Sequence, residues 1–313
     1  MYKELGRHGY RSRMSSTEYL FKVIDRLLSN TSDPLSFSKI YKMIYDEVEK
    51  TRPVNTASIN LLREVGRYIL ENGFNGISEF LDTLRRRYED ACSEAARIAA
   101  NRVVDDDVLM TMSNGVCLRR MFKFLVDEGI RFSVYVLESR PGMEGLDLAS
   151  YLDRLGVKTY LIIDSAARFF MKNVKKVIIG AEAIAVNGAV IGKVGTSLLC
   201  LVANESRVRV FVIAPLYKFS YETLHGELLE LPEGDWSYLM DEEIRSGLPE
   251  NYRARVPLYD VTPPHLIDGL ATEYGLFAPQ AIPAIIRQVY GEFPVRTEDL
   301  EIIVNRVIEV LSR

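Results

Sequence analysis

Residues 131–141 read RFSVYVLESRP, residues 158–170 read KTYLIIDSAARFF, and residues 175–196 read KKVIIGAEAIAVNGAVIGKVGT. Each segment opens on a short run of apolar, β-branched or aromatic residues and then breaks into small, polar or charged ones. That is the pattern of buried strands feeding loops and helices. Between the first two, Leu148, Tyr151, Leu152 and Leu155 fall on one helical face. Strands alternating with helices of this length predict right-handed βαβ units and a parallel sheet. The carboxyl ends of such strands share one rim, where open α/β sheets take their ligands. Glu138-Ser139-Arg140, Asp164 and the tip Gly180-Ala181-Glu182 are therefore expected around a single crevice.

Upstream, Asp107 to Thr111 reads as the first strand of this unit, followed by the small polar turn Ser113-Asn114-Gly115 and a helix carrying Leu118, Met121, Phe122 and Leu125. A strand, a short turn and a helix amino end make an anion cradle, because unpaired backbone N–H groups point outward there. Ser113 or Asn114 acting only as a helix cap is the plainer alternative. Residues before about Asn101 read as helices: Leu20, Val23, Ile24 and Leu27 keep helical spacing, as do Ile59, Leu62, Val65 and Ile69. Breaks are expected at Asp33-Pro34, Arg52-Pro53 and Asn72-Gly73, and the first ~14 residues are expected to be flexible.

Downstream, Asn187-Gly188 is a tight-turn signal that places a small hairpin at the rim. Lys193 follows with a flexible positive charge suited to a phosphate. Thr196 reads better as a helix cap than as a ligand contact. Arg209 to Ile213 is a further buried strand leading into APLYKF, and Glu222 to about Val256 is acidic and hard to place, with Trp236 suggesting one anchored segment. The tail carries Leu300, Ile303, Val304, Val307 and Leu311 as one amphipathic helix able to pack on either part.

With 313 residues, two domains are expected: a helical one over residues 1–102 and a Rossmann-like parallel-sheet one over residues 103–313, an α/β protein overall. Apolar content of 48% and charged content of 26% suit a globular chain. A net charge of −4 argues against broad nucleic-acid binding. No apolar run approaches the ~20 residues of a membrane span, and the first 13 residues lack the apolar core of a signal peptide, so a cytoplasmic location is expected. The three cysteines, Cys92, Cys117 and Cys200, have no metal-ligand spacing and read as buried free thiols. His8, His225 and His265 are too scattered to suggest a metal, and no cofactor is expected.

ESRP, IIDSAA, IIGAEAIAVNGAV and GKVGT, in that order and spacing, resemble the signature of a family that joins two activities. One branch comprises the alpha, beta and delta regulatory subunits of translation initiation factor 2B. The other comprises aldose–ketose isomerases acting on ribose 1,5-bisphosphate or methylthioribose 1-phosphate. The resemblance runs from about Arg52 nearly to the C-terminus.

It implies that RPVNTASINLLREVGRYI closes over the crevice, with Arg52 contacting phosphate and Asn60 at a recurrent family position. A plain helix start, capped by Asn55 or Thr56, is the competing reading. In HLIDGLATEYGLFAPQ the resemblance implies a short helix between Asp268 and Tyr274-Gly275, with Pro279 opening the next, in a region that helps build the subunit interface.

The isomerase branch is recognised by a cysteine in a Thr-His-Cys turn and an aspartate in a Gly-Ala-Asp tip. Here these read Thr111-Met112-Ser113 and Gly180-Ala181-Glu182, and Gly192 replaces the asparagine of the Asn-Lys pair. A thiol, with a reference pKa of about 8.5, can be tuned to neutrality, whereas an alcohol needs an activating base. The expectation is thus a noncatalytic regulatory homologue of factor 2B whose crevice still holds a sugar phosphate or nucleotide through Arg52, Ser113, Asn114, Gly115, Arg140, Asp164, Glu182, Asn187 and Lys193. Asp164 would orient Arg140 or, the favoured reading, cap the helix near Ser165. The alternative is a divergent isomerase using Glu182 and Ser113. A homodimer or higher homo-oligomer, and binding of initiation factor 2 through its alpha subunit, are what the resemblance implies for partners.

Overall fold

Hydrophobic periodicity shifts from helical to strand-like at Asp107, and the chain divides its layers accordingly. The computed structural model describes residues 14–50, 54–220, 223, 231–249, 251–291 and 298–312; the expectations for Arg52, for the break at Arg52-Pro53 and for the first 13 residues lie outside these. Four helices come first, α1 (Ser16–Leu28), α2 (Pro34–Glu49), α3 (Thr56–Asn72) and α4 (Ile77–Ala100). Then follow β1 (Asp107–Thr111), α5 (Val116–Asp127), β2 (Phe132–Leu137), α6 (Glu144–Arg154), β3 (Lys158–Ile162), α7 (Ala167–Met171) and β4 (Lys176–Gly180). The chain continues with β5 (Ala183–Ile184), β6 (Val190–Lys193), α8 (Thr196–Glu205), β7 (Arg209–Ile213), α9 (Glu242–Ser246), β8 (Tyr259–Thr262), β9 (Gly269–Thr272) and β10 (Gly275–Phe277). It ends with α10 (Ile282–Tyr290) and α11 (Leu300–Leu311).

Seven strands form one sheet in the order β10-β9-β7-β4-β1-β2-β3, parallel except for β10 against β9. The α/β expectation therefore holds. A separate antiparallel sheet, β5-β6-β8, sits at the rim, and its β5–β6 hairpin turns at Asn187-Gly188 as expected. Gly188 has φ 80°, and a Cβ there would meet the Pro279 backbone. The segment after Asp268 corrects an expectation: it is the β9–β10 hairpin. All four residues of Gly269–Thr272 are buried beside β7, and a buried run that short favours a strand.

Helix α4 serves two cores. Its first half puts Leu81, Leu84 and Tyr88 among the helices, and its second half lays Cys92, Ala95, Ala96 and Ala99 beneath the sheet against α5. Helix α11 returns to the first layer: it packs on α2 and α3, and its Ile303, Val304 and Val307 join the core cluster of Leu20, Ile24, Tyr41 and Leu62. Where α11 crosses α3, a Cβ on Gly66 would run into the Ile303 side chain and sit 2.6 Å from the Tyr41 hydroxyl, which itself donates to Leu62 O at 2.7 Å. Overpacking of this kind costs about 1–3 kcal/mol, against about 1 kcal/mol gained from alanine's helix propensity. Gly66→Ala is therefore expected to destabilise on balance, read as a lower denaturant midpoint with an unchanged slope.

The cysteines also differ from expectation. Cys92 of α4 and Cys117 of α5 form a disulfide with Cα atoms 5.3 Å apart, a pairing between helix faces that spacing along the chain does not reveal. Cys200 is the free, buried thiol, pushed up to about 12 by burial. Among the described residues no helix is long and apolar enough to cross a membrane.

Candidate functional site

After β1 the chain runs outward through β2 to β3, then returns to place β4 on the other side of β1. Loops leaving β1 and β4 at their carboxyl ends therefore diverge and leave a cleft, the switch point at which open α/β sheets bind ligands. Met112 to Leu118 form one wall and Ile179 to Glu182 the other, with Lys193, Thr196, Lys218 and Ser15 closing the sides. The free volume is about 40 Å³, room for a few waters.

Glu182 is 8% exposed, and its Oε2 accepts a hydrogen bond from Ser16 N, in the first turn of α1, at 3.2 Å. The amino end of a helix favours an anion, so this carboxylate is held by dipole and hydrogen bond together. Lys218 is 5% exposed and donates to Ala181 O at 2.5 Å, one residue from Glu182. Burial pulls its ammonium below the ordinary range, and the nearby Glu182 charge partly opposes that. Lys193 pairs with Glu144 at 2.9 Å and lies over the Tyr259 ring, 4.8 Å from its centre.

The turn after β1 carries strain. Ser113 has φ 62° and donates its N–H to Ser139 Oγ at 2.7 Å; Ser139 itself has φ 65°. Left-handed backbone at a residue other than glycine costs roughly 1–2 kcal/mol, and such positions cluster at functional sites. Neither Ser113 nor Asn114 caps α5. Gly115 takes the cap position with no side-chain bond, leaving the helix's first N–H groups toward the cleft. Asn114 is 7% exposed, and its Oδ1 has no hydrogen-bond partner among the described residues.

The expected convergence on one crevice is narrower than the sequence suggests. Asp164 neither caps a helix nor orients the Arg140 guanidinium: its two oxygens accept the backbone N–H groups of Ser139 at 2.8 Å and Arg140 at 2.7 Å. The Arg140 side chain points away, donating to Leu239 O at 3.3 Å. Glu138 is raised above the ordinary carboxylate range by burial and then by Asp164. Asp164 braces the Ser113 turn through Ser139, and Asp164, Arg140 and Glu138 do not line the cleft. Asn187 likewise supports its own hairpin, with Oδ1 accepting from Ala189 N at 3.0 Å.

Thr196 is not the cap of α8. Its hydroxyl donates to Lys193 O at 2.5 Å, and the cap is Asp260 of β8, whose carboxylate accepts Gly195 N at 2.8 Å and Ser197 N at 3.1 Å. Burial pushes Asp260 from 3.8 up to about 6. The folded state thus holds this proton more tightly than the unfolded chain, so Asp260 makes stability fall as pH rises from about 4 to about 6. Asp260→Asn removes the titration. The stability of the native protein relative to the variant is expected to decline across that window, measured by denaturant unfolding at each pH. Sequence reading missed Asp260, Lys218 and the α1 amino end. Lys218 left one trace, as the lone cation in APLYKF.

These features define a class: an α/β protein with a helical layer over a cation-lined cleft at the strand carboxyl ends. The sequence pattern of the Initiation factor 2 subunit family matches residues 10–279, and the chain belongs to that family. Six curated relatives, 29–35% identical over 74–84% of this chain, are named ribose 1,5-bisphosphate isomerase. The Thermococcus kodakarensis protein is 34% identical over 77% of this chain and 78% of its own length. A Pyrococcus horikoshii structure described as translation initiation factor eIF-2B superposes with a TM-score of 0.73 at 29% identity, covering 88% of this chain and 96% of that one. The structure of 5-methylthioribose 1-phosphate isomerase from the same organism shares the fold, with a TM-score of 0.63 at 18% identity, covering 89% of this chain and 88% of that one.

Proposed function

We propose that the protein is an aldose–ketose isomerase acting on ribose 1,5-bisphosphate or a closely related sugar 1-phosphate. The expectation of a noncatalytic regulatory homologue is corrected. The observation that overturns it, and carries this reading, is the run of six relatives named ribose 1,5-bisphosphate isomerase over most of the chain. The Ser113 and Glu182 substitutions weighed too heavily in that expectation, because a carboxylate remains in the cleft with cations around it.

The reaction opens the C1–O4 bond with a proton delivered to O4, removes hydrogen from C2 and its hydroxyl, and returns hydrogen to C1. Glu182 is the carboxylate for proton transfer. Lys218 and Lys193, with the amino end of α5, supply positive charge for phosphate and for the oxygen that becomes the ketone. Ser113 contributes a hydroxyl whose pKa is too high for it to act as the base unaided. Withdrawal of the start of α1 would widen the narrow cleft, break the Ser16–Glu182 hydrogen bond and free the carboxylate.

The test is direct: ribose 1,5-bisphosphate is incubated with the protein and the ketose bisphosphate followed by phosphorus NMR, with methylthioribose 1-phosphate as a second substrate. Absence of turnover with both rejects the reading. Self-association is part of the same proposal. Leu161 and Ile163 at the β3 edge, Phe169 on α7 and Leu198 and Leu201 on α8 are large exposed apolar side chains, and α7 packs on α8. A patch of this kind marks an interface. Binding of the initiation factor 2 alpha subunit rests on the resemblance alone.

A further inference from the structure

We propose that Asn60, on the helical layer and outside the cleft, is a positioning residue that fixes Lys218 for the isomerisation. The inference rests on the isomerase reading given above. Lys218 is carried by a single 3₁₀ turn, Leu216–Lys218, that leaves the carboxyl end of β7. A turn of three residues has no helix behind it to hold its direction. Its hold comes from elsewhere: Asn60 Nδ2 donates to Tyr217 O at 3.0 Å and to Phe219 O at 2.8 Å, the carbonyls on either side of Lys218. Glu273 Oε2 accepts Leu216 N at 2.9 Å and secures the start of the turn.

Asn60 is 6% exposed and reaches across more than 150 residues of sequence to make both bonds. It borders a groove of about 910 Å³ on the helical side, together with Tyr217 and Glu273, while Lys218 lines the cleft on the other side. Tyr217 packs into the helical core against Tyr88, ring centres 5.0 Å apart, so successive side chains of the turn serve opposite faces. One amide thus fixes the plane from which Lys218 extends to Ala181 O, beside Glu182. Without its two N–H groups the flanking carbonyls lose their donor in a buried setting, and a displacement near ~1 Å at a reacting group costs on the order of 100-fold in rate.

A double-mutant cycle tests the assignment. The native protein, Asn60→Asp, Lys218→Met and the double variant are compared in kcat and KM, with thermal unfolding recorded for each. Asn60→Asp keeps the side-chain volume and removes both donors; Asn60→Ser serves in its place if the aspartate variant does not fold. The expected result is a fall in kcat of at least about 10-fold for the Asn60 variant, and a double variant no slower than Lys218→Met alone, because the two act through one group. Losses that multiply, or a folded Asn60 variant with native kcat, overturn the proposal. If the native protein turns over neither sugar phosphate, the isomerase reading fails separately. The same four proteins are then compared by calorimetric titration with inorganic pyrophosphate. Non-additive weakening supports Asn60 acting through Lys218, and additive weakening or none overturns it.

Discussion

Glu182→Gln is expected to lower kcat for ribose 1,5-bisphosphate by about 10²–10⁴-fold, the usual worth of a general acid–base group. The substitution keeps the shape of the side chain and its ability to accept from Ser16 N, so the closed cleft should persist. What disappears is the charge and the exchangeable proton beside Lys218. KM is expected to change little, since Lys193 and the α5 amino end, which line the cleft, are untouched. A glutamine variant with native kcat would remove Glu182 from the reaction and leave the chemistry without a base. The longer reach of glutamate, compared with the aspartate of the isomerase branch, makes Glu182→Asp informative as well. In this cleft the shorter chain is expected to be slower, because it draws the carboxylate back from the position in which Glu182 meets Ser16 N.

Breaking the Cys92–Cys117 bond is expected to cost about 3–4 kcal/mol of stability, from the loop entropy of a 25-residue separation. The measurement is a denaturant midpoint with and without a dithiol reductant, repeated on Cys92→Ser/Cys117→Ser. Unfolded under nonreducing conditions, the protein should show one reactive thiol, from Cys200, and after reduction three. Cys117 lies in the first turn of α5, on the cleft wall, while Cys92 lies on α4. Reduction is therefore also expected to weaken anion binding in the cleft. An unchanged midpoint would show that α4 and α5 hold together by packing alone.

Much of the sheet is legible in the sequence. β1 begins and ends at Asp107 and Thr111 as read, and the apolar runs ending in ESRP, Asp164 and Gly180-Ala181-Glu182 are the strands β2, β3 and β4. In β2 and β4 runs of apolar residues buried against the core carry the signal, whereas β3, expected to be buried as well, is the sheet's edge strand and none of its residues is buried. Helix starts were legible where the capping side chain is local, as at Asp33 before Pro34. Where the partner is remote, the sequence is silent: Asp260 caps α8 from more than 60 residues away, and Cys92 finds Cys117 only because two helices pack. Asp164 was misread for the same reason. Its nearest backbone N–H groups in sequence suggested a cap, while the sheet delivers those of Ser139 and Arg140. Short β9 could not be told from a helix turn by four residues of pattern alone.

The return of α11 to the first layer bears on how the protein is made. Helices α2 and α3 are covered in part by α11, and Ile303, Val304 and Val307 join the cluster of Tyr41 and Leu62 only after the whole sheet has been synthesised. These helices therefore wait with an open apolar seam while the strands of the sheet are made and find their neighbours. A nascent chain stalled before Leu300 should be held by chaperones, and emergence of α11 should be the event that lets it go.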